Sequence, residues 1–159
     1  PYMTTWLLHW ITAALVALML LASLPIPYPD FVHIPPSLWM GIHMSVGWIL
    51  MVVTAGRFLV LALPQRGAGV RIFRPGGSRA LMKVLLLVSL AVILATGAVI
   101  YRPSPLSPRI YLFGVFEASA VVNLDHITHL QFIISHRYLA YALTVFLIIH
   151  IYFAFERPT

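Results

Sequence analysis

The chain has 159 residues, 61% of them hydrophobic and only 9% charged, with a formal net charge of +6. Soluble domains carry roughly 25% charged residues, so this balance excludes a soluble enzyme or nucleic-acid-binding module and marks an integral membrane protein. With no cysteine, the chain by itself can hold no disulfide, iron–sulfur cluster or thioether-linked haem.

A bilayer core about 30 Å thick needs roughly 20 apolar residues per helix. Four stretches meet that length: Thr5 to Leu24, Leu38 to Ala62, Ala80 to Tyr101 and Ile127 to Phe155. Strand alternation is absent and the runs are too long for barrel strands, so the backbone is satisfied in lipid by helices. The expected fold is all-α, an integral membrane four-helix bundle, with residues 1–159 as a single domain. No cleaved signal peptide is expected, because the first stretch is long enough to span and no cleavage pattern follows it.

The segment between the second and third helices, "LPQRGAGVRIFRPGGSRALMK", holds Arg66, Arg71, Arg74, Arg79 and Lys83 and no acid, with Arg57 just before it. Positive-inside bias puts this loop in the cytoplasm and, with four spans, both termini there too. The expected location is the inner (cytoplasmic) membrane of the cell, as a multi-pass protein surrounded by lipid. The Pro-rich stretch after Tyr101 stops the third helix, and Tyr111 to Phe116 is expected at headgroup depth with its aromatic rings.

Seven histidines stand out in so apolar a chain. His9 lies about one turn inside the cytoplasmic start of the first helix and His150 about one turn inside the cytoplasmic end of the fourth. His43 and His136 form a second layer near the outer face. Fourteen residues separate His136 from His150, about 21 Å of rise with only about 40° of rotation, so one helix can serve both layers. Buried polar rings in hydrocarbon need partners. Two facing pairs suit two haem b groups, each held by imidazoles on opposite faces of its iron without covalent attachment. The residues four positions after these histidines are Ala13, Gly47, Ala140 and Ala154, small enough to let a porphyrin lie against the helix.

Blander readings stand beside these. Any one membrane histidine can be a hydrogen-bonding core residue; it is the joint pairing that favours ligation. His33, His126 and His129 lie at interfaces, where solvated or headgroup-bound side chains are expected, with a minor alternative for His129 against a haem propionate or a quinone. Zinc would need more ligands than His126 and His129 supply. Arg57, Arg79 and Lys83 at the inner layer, and Arg102, Arg109 and Arg137 at the outer, either pair with propionates or snorkel to lipid phosphate. Arg57, fourteen residues after His43, stays near the ligand-bearing face. Trp10, Trp48, Tyr138 and Tyr141 read as packing or interface anchors.

The stretches "LLHW", "GIHMSVGWILMVVTAGRFL", "TGAVIYRP" and "HRYLAYALTVFLIIHIYFAF" together resemble the bacterial cytochrome b561 family and the related cytochrome b subunits of membrane formate dehydrogenases and nickel–iron hydrogenases. The resemblance covers nearly the whole chain. It implies His9 with His150 for the cytoplasmic-side haem and His43 with His136 for the other. The second helix and "YLFGVF" look more like the b561 branch, whereas the end of the third helix and "IIHIYFAF" look more like the formate dehydrogenase subunit. In that subunit a quinone lies near the cytoplasmic haem and the start of the third helix, which here implies Gly77, Ser78 and Arg79 as quinone contacts.

The expected function is therefore electron transfer across the bilayer between the quinone pool and an outer-face redox partner. The chain has no soluble redox domain, so an iron–sulfur, molybdenum or cytochrome c subunit is the expected partner, and this chain the quinone-reactive subunit of an oxidoreductase complex. Two alternatives stay open: a stand-alone b561-type oxidoreductase, for example from superoxide to quinone, and a haem-free membrane anchor. No catalytic residue is expected in the first case, and nucleic acid is not an expected partner.

Overall fold

A computed structural model of the chain describes residues 2–24, 35–62, 77–101 and 109–155. Four long helices account for most of them: α1, Tyr2–Ser23; α2, Pro36–Ala62; α3, Gly77–Ile100; and α4, His126–Phe155. Each contains a window long and apolar enough to cross a membrane. Their bounds fall within about one turn of those expected from hydropathy. His33, Arg66, Arg71, Arg74 and Arg102 lie outside the described residues.

Helix α1 packs on α2, α3 on α4, and α2 on α3. The buried apolar cluster is Val16, Leu50, Leu90, Ile93, Leu94 and Leu143, one or more from every helix, with Leu15, Met19, Leu139 and Leu147 packed against it. Leu50 is 1% exposed, whereas Val52, on the opposite face of the same helix, is 70% exposed. Large apolar side chains on the outside of all four helices, such as Leu18, Val88 and Val145, would be an aggregation hazard in water and are the normal surface in lipid. Leu143 lies seven residues from both His136 and His150. The cluster is thus an apolar waist about 10 Å in rise from each histidine of α4.

One feature was not anticipated from sequence. Between α3 and α4 the chain forms a small hairpin, β1 (Tyr111–Leu112) and β2 (Phe116–Glu117), paired antiparallel with Tyr111 opposite Glu117 and Leu112 opposite Phe116. Val115 N–H donates to the Leu112 carbonyl at 3.0 Å across Phe113 and Gly114, both at positive φ (52° and 71°). That is the arrangement of a type I′ turn, which suits hairpin twist but is unfavourable for a bulky residue such as phenylalanine. Tertiary contact compensates. Ser45 donates to the Gly41 carbonyl at 2.6 Å and accepts from Phe113 N–H at 2.8 Å. At Gly41 an added Cβ would lie 2.8 Å from the Tyr111 carbonyl oxygen, so the hairpin rests directly on the α2 backbone. Arg109 and Glu117 also meet across it at 3.3 Å, an exposed pair of small energetic weight.

The start of α4 is capped by Asp125. Its carboxylate accepts from Ile127 N–H and Thr128 N–H, both at 3.0 Å, and from the Thr128 hydroxyl at 2.5 Å. The hydroxyl and backbone donors of Thr128 hold this carboxyl below its ordinary range. At the same end His129 Nε2–H donates to the Ile100 carbonyl at 2.7 Å, satisfying one of the acceptors left open at the end of α3. His129 is therefore half-buried and engaged with protein, whereas His126 is exposed.

Two outcomes follow. A folded-state carboxyl below its ordinary value of 3.8 contributes stability above that pH and loses it as pH falls through the lowered value. Asp125→Ala should flatten this acid limb for the first turn of α4, read by amide exchange at Ile127 and Thr128 across pH. For the hairpin, Ser45→Ala should remove about 1 kcal/mol from the Phe113 contact, so exchange at the Phe113 amide should rise about fivefold with the helices unchanged by circular dichroism.

Candidate functional site

The helices bring the four expected histidines together as two pairs. The His9 and His150 rings, on α1 and α4, have centroids 6.3 Å apart at 64°, and those of His43 and His136, on α2 and α4, are 6.4 Å apart at 79°. Among the described residues no cluster of three or more candidate ligands forms a small-ion site. The spacing can be tested against a haem iron. A metal–imidazole bond of about 2.0 Å plus about 1.1 Å from nitrogen to ring centre, doubled, gives about 6.2 Å. Both centroid separations therefore match what an iron held by one nitrogen from each ring would require. Direct stacking would bring offset rings closer, and a hydrogen bond between them would leave a nitrogen contact, neither of which is present.

At the hairpin end, His43 and His136 are half-buried. His43 Nδ1 is buried and makes no well-formed hydrogen bond among the described residues, although the Met19 backbone lies close to the ring; an unsatisfied polar atom there costs about 1–3 kcal/mol. His136 is better supported. Its Nδ1 is 3.1 Å from the Thr96 hydroxyl, and the backbone at Gly97 lies against its ring. At the opposite end His9 is exposed and His150 half-buried. The Arg57 and Lys83 charges act on the His9 ring, which gathers His9, His150, Arg57 and Lys83 at one end of the bundle as expected. Trp10 meets His9 edge-on at 5.6 Å between centroids.

The other expected contacts divide. Ala13 and Ala140 are half-buried and Ala154 is exposed. A Cβ at Gly47 would sit in ordinary contact with Met19 Cε, at 3.6 Å, so Met19 covers that glycine. Gly77, Ser78 and Arg79 form the first turn of α3, and their side chains lie outside what the structure describes. Arg57 is half-buried, while Arg109 and Arg137 are exposed and Arg109 is engaged with Glu117. Tyr138, Tyr141 and Trp10 face outward, as interface anchors would.

Three polar residues were missed in the sequence reading. Thr96 touches His136, Ser45 holds the hairpin two residues from His43, and Thr54 is buried on α2 with a hydroxyl that finds no partner among the described residues. Thr96 sits 40 residues before its partner, so only its position in the "TGAVIYRP" stretch marked it. A groove of about 650 Å³ also opens between the start of α2 and the hairpin, lined by Gly41, Ser45, Ile49, Arg109, Tyr111 and Phe113. None of the four paired histidines lines it.

Comparison with curated proteins and with solved structures gives no match. A family model described as prokaryotic cytochrome b561 matches residues 3–157. With four membrane-crossing helices and two facing histidine pairs, the chain belongs to the prokaryotic cytochrome b561 family, multi-pass membrane cytochromes b that bind haem b and transfer electrons.

Proposed function

We propose that this chain is a di-haem b cytochrome that carries electrons across the bilayer between an outer-face redox partner and the quinone pool. The observation that carries this reading is the duplication of one geometry: two imidazole pairs, 6.3 and 6.4 Å between centroids, at opposite ends of an apolar waist. A single pair would support storage or signalling as readily as transport. Two pairs linked through α4 make a path.

A b haem, when bound, would supply a one-electron couple. The protein's own work is positional and electrostatic. His9 and His150 would hold the haem at the Arg57 end, and His43 and His136 the one at the hairpin end. Arg57 and Lys83 place positive charge beside His9, which favours the electron-rich state there and offers donors to propionates. Leu50, Leu94 and Leu143 exclude water between the two sites.

The quinone belongs on the side of His9, near Gly77, Ser78 and Arg79. Support comes from the shared end of the bundle: these residues open α3, one turn before Lys83, which acts on His9. Basic residues at this end support a cytoplasmic placement for it and both termini, with the inner membrane as the location. The hairpin end then faces the outer partner, an iron–sulfur, molybdenum or cytochrome c protein, for which the exposed rings of Tyr111, Phe113 and Phe116 are available.

Pyridine haemochrome and reduced-minus-oxidised spectra of the purified chain should give two b haems per polypeptide. His9→Ala or His150→Ala should each lower that to one, as should His43→Ala or His136→Ala, and the two groups should remove spectrally different haems. Colourless wild-type protein would overturn the reading in favour of a membrane anchor. Rapid quinone reduction from superoxide by the isolated chain would instead assign it a stand-alone activity.

A further inference from the structure

Helix α3 contributes no histidine, yet it contacts one closely. Thr96 Oγ1 donates to the Ile93 carbonyl at 2.9 Å on its own helix. A hydroxyl has one proton, and while it is spent on Ile93 the oxygen meets His136 Nδ1, at 3.1 Å, as an acceptor. In that arrangement the proton of the contact sits on His136 Nδ1, a ring that also has the Ile93 backbone beside it. This favours the tautomer that leaves the lone pair on Nε2, the nitrogen free to meet a metal.

The next residue gives a second, independent constraint. A Cβ at Gly97 would lie 2.9 Å from His136 Cε1 and 3.5 Å from Nδ1. Cβ atoms essentially never approach so closely. A side chain here would push the ring, so glycine lets the imidazole approach α3 closely, where Thr96 meets it. On its other side the ring faces His43, 6.4 Å away between centroids.

We propose that Thr96 and Gly97 are the positioning residues of His136: glycine sets where the ring lies, and the threonine hydroxyl sets which nitrogen faces the iron and how strongly it donates. This rests on the haem reading of the His43 and His136 pair. A hydrogen bond accepted from the far nitrogen of a ligating imidazole makes the ring more basic and orients it. More electron donation stabilises the oxidised iron. Thr96 thus lowers the potential of the haem at the hairpin end relative to the same site without the hydroxyl, and leaves the other haem unaffected.

The test uses the full chain in detergent or nanodiscs, with haem per polypeptide, redox titration and low-temperature electron paramagnetic resonance. The haem missing in His43→Ala identifies the hairpin-end signal. Thr96→Val should keep two haems, raise the midpoint potential of that one only and shift its low-spin g values. Thr96→Ser, which keeps the hydroxyl, should restore both to wild type. Gly97→Ala, which pushes on the ring, should shift the same signal or lose that haem alone. Two haems with neither potential nor g values moved by Thr96→Val would overturn the assignment by itself. Should Thr96→Val lose the haem, Thr96→Ser decides, and failure of serine to restore it also overturns the assignment. Wild-type protein without a hairpin-end haem overturns the haem reading, and the assignment with it.

Discussion

An imidazole on a membrane-spanning helix needs a polar partner or a ligand, and the bundle pairs its rings around that constraint. Four such rings lie on three of its helices, and each faces another across a gap that a six-coordinate iron would span. Leaving a polar ring unsatisfied in a medium without water costs as much as several well-packed methyl groups contribute. The helices must therefore be held at a separation that serves the rings rather than one that maximises leucine contact. The buried apolar cluster of Val16, Leu50, Leu90, Ile93, Leu94 and Leu143 lies between the two pairs.

Support for the rings differs between the two ends. Near the hairpin, His136 lies against α3 and shares a hydrogen bond with Thr96, and the neighbouring loop is fastened to α2 through Ser45 and Gly41. At the other end the influence on the ring is charge: Arg57 and Lys83 act on His9. Hydrogen bonding to a ligand and charge near a ligand are the two means by which a protein adjusts a metal without altering its first coordination. A different one is present at each end, which under the proposed function would permit two b haems to differ in potential.

Much of this was legible in the residues. Span positions follow from apolar length bounded by prolines and basic residues, and hydrocarbon thickness leaves little freedom in them. That α4 serves two layers followed from helix rise, since fourteen residues bring it back to nearly the same face, and the partners followed from each histidine's depth along its span. What was not legible depended on tertiary contact. The hairpin lacks the Asn-Gly or Asp-Gly signal of its turn class, and its Phe113 takes a positive φ beside a serine 68 residues away. Thr96 reads as an ordinary threonine in an apolar helix until α4 is laid beside it. The flexible Met19 thioether beside Gly47 likewise shows only once α1 is laid against α2.

The leucine waist has a consequence for energy conversion. Leu50, Leu94 and Leu143 are buried in the middle of the bundle, and none of the four helices carries an aspartate or glutamate that could relay a proton alongside an electron between the histidine layers. Charge moving between the layers would travel uncompensated through most of the dielectric. Moving one elementary charge through the full membrane potential is worth about 2.3 kcal/mol per 100 mV. Under the proposed function, the resting voltage of the cell acts directly on the electron's equilibrium between the two ends, and a protein with no moving part becomes sensitive to how well energised its membrane is.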